Sequence, residues 1–150
     1  MTAREYFESA RAAQRLIDAR AASLAAMKTR EGLRAQSYEA VGRSTGRADP
    51  MRATDARIDA EAACLREMER LRAEVADARA VCAGYSAANP RSMGGAALEL
   101  HYVDGMTWRE VAVALGVSWE TARRAAYVAL DWVDAVGVAA ARAGAGRAEA

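Results

Sequence analysis

A chain of 150 residues and 16.0 kDa holds one ordinary domain, or two small ones with a short connection, and excludes a large multidomain enzyme. Apolar residues make up 53% of it, but 40 residues are alanine, so few large side chains are available to build a core. Lys plus Arg at 21 against Asp plus Glu at 20 leaves a net charge of +1, which removes any chain-wide electrostatic argument for a polyanionic partner.

Abundant alanine, two prolines and a low content of Val and Ile favour helix over sheet, so the expected class is all-α. Twenty of the 21 basic residues are arginine, a compositional bias to which we attach no functional weight. No signal-peptide pattern opens the sequence and no apolar run approaches the roughly 20 residues of a membrane span. A reducing cytoplasmic location with no membrane contact is the resulting expectation.

From Thr2 to about Arg30, apolar residues at Tyr6, Ala10, Ala13, Ile17, Leu24 and Met27 follow helical spacing with charges between them. Gly32, Gly42, Gly46 and Pro50, with Ser37, Ser44 and Thr45, predict a connection near residues 32–52. The stretch from Lys28 to Arg57 carries seven basic and four acidic residues. A second long helix is expected from near Thr54 to about Ala83, with Ile58, Leu65, Met68, Leu71, Val75, Ala78 and Cys82 on its apolar stripe. Two such helices joined by one connection predict an antiparallel coiled-coil hairpin over residues 1–84 that serves as scaffold and oligomerisation element. Cys64 and Cys82 stand 18 residues apart on one helix, about 27 Å, so they cannot pair within the chain.

Residues 85–95, with Asn89, Pro90 and Gly94-Gly95, read as a linker. Beyond them lie all three tryptophans and the single histidine, and a compact domain is expected over residues 96–136. Leu98, Leu100, Tyr102 and Val103 open a helix that stops at Asp104-Gly105. Thr107 then caps a short helix, Trp108 to Leu115, with Glu110 placed to close a capping box. Gly116 supplies a left-handed bend, Val117 plugs the corner, and Ser118 caps the next helix, in which Ala122, Ala125 and Val128 or Ala129 face inward. This is the pattern of a helix-turn-helix, and it leaves Trp119, Glu120, Thr121, Arg123 and Arg124 outward near the start of the helix that enters a major groove.

Gly105 to Ala112, Leu115-Gly116-Val117-Ser118, Thr121 to Arg124 and Ala129-Leu130 together resemble the fourth, promoter-reading region of sigma factors. The whole chain is similar to phage and prophage proteins that place such a domain behind a long helical hairpin, with Tyr38, Val41, Asp49, Met51 and the helix from Ile58 as the N-terminal part of the likeness. The resemblance implies sequence-specific binding of double-stranded DNA in phage gene control; useful affinity would then need two domains held by the hairpin, help from the basic stretch between Lys28 and Arg57, or RNA polymerase as a co-binder. Carried over residue by residue, the DNA-binding set is Trp119, Glu120, Thr121, Arg123 and Arg124, with Arg109 from the preceding helix. Trp119 stands where a basic residue is common in that family. Leu98 to Val136 also holds three arginines against six acids, so a single domain is expected to bind weakly.

Two alternatives use the same elements differently. A small terminase-like DNA-packaging subunit also joins a helix-turn-helix to an oligomerising coiled coil, and the helix pair could instead present a protein surface with Trp119 as its anchor. His101 has no second ligand at metal spacing, Trp108 and Trp132 fall at core positions, and no phosphate loop or paired nucleophile and base is present, so neither a metal, a cofactor nor an enzymatic activity is expected. The Ala- and Gly-rich tail, residues 137–150, carries no chemistry that we can assign.

Overall fold

The computed structural model describes residues 1–40 and 50–144. It is all-α, and no strand occurs among the described residues. The helices are α1 (Ala3–Ala40), α2 (Pro50–Ala88), α3 (Gly94–Leu98), α4 (Trp108–Leu115), α5 (Trp119–Val136) and α6 (Val138–Arg142), with one π-helical turn at Glu99–Val103 directly after α3. Among the described residues, no helix is long and apolar enough to cross a membrane.

The chain divides into two compact units, Leu16–Leu71 and a discontinuous one made of Met1–Arg15 with the chain from Arg72 onward. This partition differs from the expected hairpin and linker. The residues assigned to the linker begin inside a helix, because α2 runs on to Ala88, and the turn proper is confined to the few residues around Asn89 to Ser92.

In the Leu16–Leu71 unit the two helical stretches run antiparallel. Arg20 pairs with Glu67 at 3.3 Å and Glu31 with Arg57 at 2.9 Å, so advancing along α1 moves the partner backward along α2. Exposed pairs of this kind add little stability and serve mainly to set register. Ile17, Met68 and Leu71 are buried, whereas Ile58 and Leu65, assigned to the apolar stripe, are exposed. The connection starts later than Gly32 suggested: α1 continues as helix to Ala40, and residues 41–49 of the expected loop lie outside the described residues.

The other unit contains the larger core. Phe7 and Leu98 are its largest fully buried side chains, joined by Val81, Val103, Val111 and Val133. Ala112 of α4 and Ala122, Ala126 and Ala129 of α5 are buried, and Ala129 lies against Gly94 of α3, where small residues let backbones approach closely. Val128, one of the two inward candidates, points out and is 55% exposed; Ala129 takes the buried position. The first turn of α1 is tied to α5 by the Ala3 backbone N–H, which donates to Asp134 Oδ1 at 2.6 Å. Asp77 on α2 accepts from the Tyr6 hydroxyl and from Arg142 of α6, linking three helices at one carboxylate. Burial and that carboxylate push the Tyr6 hydroxyl well above its ordinary pKa.

The Ala- and Gly-rich tail expected from residue 137 begins with α6, whose Ala141 is fully buried against α2. Gly84 makes this approach possible, since a Cβ there would fall 1.8 Å from the Ala141 carbonyl oxygen. Cys64 and Cys82 are free thiols, and burial pushes the Cys82 thiol up to about 12, so it is inert at neutral pH.

Candidate nucleic-acid interface

The geometry of α4 and α5 follows from local chemistry. Thr107 caps α4 with a complete capping box: its hydroxyl accepts from the Glu110 N–H while the Glu110 carboxylate accepts from the Thr107 N–H at 2.7 Å. Those hydrogen bonds hold the Glu110 carboxyl below the usual range. At the other end Gly116 adopts φ 68°, and the Gly116 and Val117 N–H groups donate to the Val113 and Ala112 carbonyls, a Schellman closure. Val117 is half-buried in the corner. Ser118 then caps α5 by accepting from the Thr121 N–H at 3.2 Å.

Six residues were assigned to DNA from the sequence. Trp119 is 44% exposed on the first turn of α5, with Glu120, Arg123 and Arg124 exposed beside it. Thr121 is exposed too, but its hydroxyl is engaged with the Ser118 hydroxyl at 2.8 Å, so it belongs to the cap. Arg123 folds back along the helix: its Nε donates to the Tyr127 hydroxyl at 2.9 Å and its guanidinium lies 5.1 Å from that ring's centroid. Arg124 forms no ion pair among the described residues. Arg109 is set apart from the others. It lies on the outer face of α4 beside Met106, Glu110 and Val113 and makes no hydrogen bond, ion pair or ring contact with the α5 set.

The acidic balance of this region is partly tied up elsewhere. Arg79 of α2 binds Glu99 and, at 2.7 Å, Asp104, and these carboxylates raise the arginine's pKa. Asp134 accepts from the α1 backbone. Residues 1–15, which belong to the same unit, add three arginines against two glutamates. The unit is therefore less hostile to a polyanion than residues 98–136 alone suggest.

Behind α4 lies a histidine that no ligand spacing in the sequence singles out. His101, in the π-helical turn, stacks on Trp108 with ring centroids 3.8 Å apart and 16° between planes. Its Nδ1 lies 2.7 Å from the Met106 carbonyl, which can only accept, and its Nε2 lies 3.4 Å from Arg11 Nη1, which can only donate. Both contacts require the neutral tautomer protonated on Nδ1. Burial and the Arg11 charge lower its pKa, outweighing the Met106 hydrogen bond, which raises it. In the folded protein the group thus binds its proton at lower pH than the ordinary 6.5. Stability contributed here is intact above that value and is lost as pH falls through the lowered one, because the unfolded chain takes up the proton first. Thermal melting from pH 8 to pH 5 is expected to show the parent losing its advantage over His101→Gln as the solution is acidified, across the window around the ordinary histidine value. A difference that stays constant with pH would contradict the assigned tautomer.

No protein-family model matches this chain, and no curated protein or solved structure is significantly similar to it. Among the described residues no group of His, Cys, Asp and Glu is arranged to hold a metal ion.

Proposed function

We propose that the protein is a sequence-specific double-stranded DNA-binding regulator of the phage or prophage type, without catalytic activity, in which α5 enters the major groove. The observation that carries this reading is the pair α4 and α5: each is side-chain capped, they join at a left-handed glycine, and Trp119 and Arg124 stand exposed on the first two turns of the second helix. Arg124 offers a planar fork suited to a guanine edge, and Trp119 offers an apolar face to a thymine methyl or a sugar. Thr121 supports the helix start and Glu120 borders the contact, while Arg109 stands apart from it on α4.

The Leu16–Leu71 unit supplies self-association in this reading, and its partner is a second copy of the chain. Ile58 and Leu65 are exposed at 54% and 45%, one heptad apart on α2. Asp59 and Arg66 each follow one of them, so an antiparallel pairing of two copies sets opposite charges across the strip. Two DNA-binding units per assembly offset the weakness of one.

Selection of bound fragments from a phage and host genomic library, followed by titration of the recovered site, tests the proposal. Arg124→Ala is expected to cost about 1–3 kcal/mol of affinity and to relax preference at one base position, and light scattering is expected to report a dimer. A second reading, in which α4 and α5 dock a protein such as RNA polymerase, draws on Val113, which is 84% exposed in an apolar groove with Met106 and Ala114. Under that reading Arg124→Ala leaves DNA retention unchanged. Failure to retain any fragment at low salt would remove the DNA reading.

A further inference from the structure

We infer that Arg4, Tyr127 and Arg123 form a clamp for a DNA backbone phosphate on the flank of α5. The inference rests on the DNA reading of that helix and adds a residue from the far end of the chain to its interface. Arg4 reaches α5 because the first turn of α1 is fixed there, by the Ala3 N–H bond to Asp134 and by the buried Phe7 ring, which packs 6.0 Å from Tyr102.

The guanidinium carbons of Arg4 and Arg123 lie 5.2 and 5.1 Å from the centroid of the same Tyr127 ring. Two like charges are therefore held within about 10 Å of each other by one aromatic platform. Neither forms an ion pair among the described residues, in contrast to Arg79 and Arg142 of the same unit, which are both satisfied by carboxylates. Asp131 and Asp134 line the same hollow as Arg4 and Tyr127, yet neither pairs with the two guanidiniums, which leaves both cations available to an anion supplied from outside. With the Arg123 Nε engaged by the Tyr127 hydroxyl, its terminal nitrogens remain as donors, and Arg4 contributes a second fork.

A phosphodiester matches this arrangement, because Arg123 and Tyr127 follow Trp119 at one-turn intervals along the same stripe of α5 while Arg4 is delivered beside them from a separate helix, which places two forks next to the groove contact. Asp131 and Asp134 border Arg4 and Tyr127 on the C-terminal side and repel a phosphate there. The strand is thereby confined to the N-terminal side of Tyr127, which sets the register of α5 against the duplex. Contacts of this type position a protein and carry no sequence information.

The test uses the full-length protein and a labelled duplex of random sequence, titrated at several salt concentrations between about 50 and 200 mM. Arg4→Ala is expected to weaken binding several-fold on every sequence and to make the plot of log affinity against log salt shallower by about 0.9, the value of one lost phosphate contact. Arg4→Lys keeps the slope, since a point charge suffices for a phosphate, and Arg72→Ala, an exposed arginine on α2, leaves it unchanged. Unaltered thermal melting of Arg4→Ala shows that the fold is intact. If Arg4→Ala binds with the parent's slope while Arg124→Ala weakens binding, the clamp is wrong and the DNA reading stands. An equal fall of slope in Arg72→Ala also overturns the clamp, as it reduces the effect to net charge. A parent protein that retains no duplex at the lowest salt removes both.

Discussion

Phe7→Ala is expected to lower the unfolding free energy by about 3–5 kcal/mol, the range for deleting a fully buried aromatic ring. Phe7 is 0% exposed and packs edge-on to Tyr6, with ring centroids 5.3 Å apart, and near Tyr102. A domain of this size is typically stable by only about 5–15 kcal/mol, so the loss is a large share of the total. Urea unfolding monitored by tryptophan fluorescence measures it directly, because all three tryptophans lie in the unit to which Phe7 belongs. The variant is also expected to release the first turn of α1 and with it Arg4. A loss below about 1 kcal/mol, the level of an ordinary surface change, would mean that residues 1–15 do not belong to this core.

Gly84→Ala provides the second large effect, with a built-in control. At an exposed helix position this change is worth up to about 1 kcal/mol in favour of the helix. Here the added methyl group meets the Ala141 carbonyl at 1.8 Å, with the Arg142 carbonyl oxygen 3.0 Å away. These are backbone atoms, so α6 must leave or α2 must bend, and overpacking of this kind costs about 1–3 kcal/mol or more. The melting temperature is expected to fall in the full chain. In a chain ending at Gly137, which lacks α6, the same substitution is expected to be neutral or stabilising. A fall of equal size in both backgrounds would show that the clash with α6 is not the cause.

The parts of the fold that were legible in the sequence are those decided within a few residues. The Thr107–Glu110 box, Gly116 and the Ser118 cap were each assigned from the chain alone, and the helix bounds Trp108 to Leu115 agree with those found. Phe7 was missed because it stands next to Tyr6, which satisfied the helical spacing; the ring faces a partner far along the chain that no local pattern reveals. Ile58 and Leu65 satisfied the same periodicity yet lie outward, since an alanine-rich seam places several residues of one helix at similar distance from its neighbour. Gly32 was read as a break, but Leu33, Arg34, Ala35 and Gln36 are good helix formers, and the Glu31–Arg57 pair supports the turn before them.

Among the candidate site residues, exposure of Trp119 and Arg124 followed from helical phase. The diversion of Arg123 to Tyr127, four residues on, is a common helical neighbour relation and was available in principle. The approach of Arg4 to the same ring was not, because it depends on tertiary packing. Nor could the tautomer of His101 be read, since its two partners, Arg11 and the Met106 carbonyl, are brought together only by the fold.

The hydrogen bond from Ala3 to Asp134 joins groups 131 positions apart, and it constrains how the protein comes into being. While the ribosome is still delivering the middle of the chain, the opening residues have nothing to close upon and their phenylalanine stays wet. Ordering them early is useless, and closure over so long an excursion is entropically slow. Residues 1–15 are therefore expected to remain vulnerable to proteases in the nascent chain until α5 has been synthesised, and a premature stop before α5 leaves this unit unfinished.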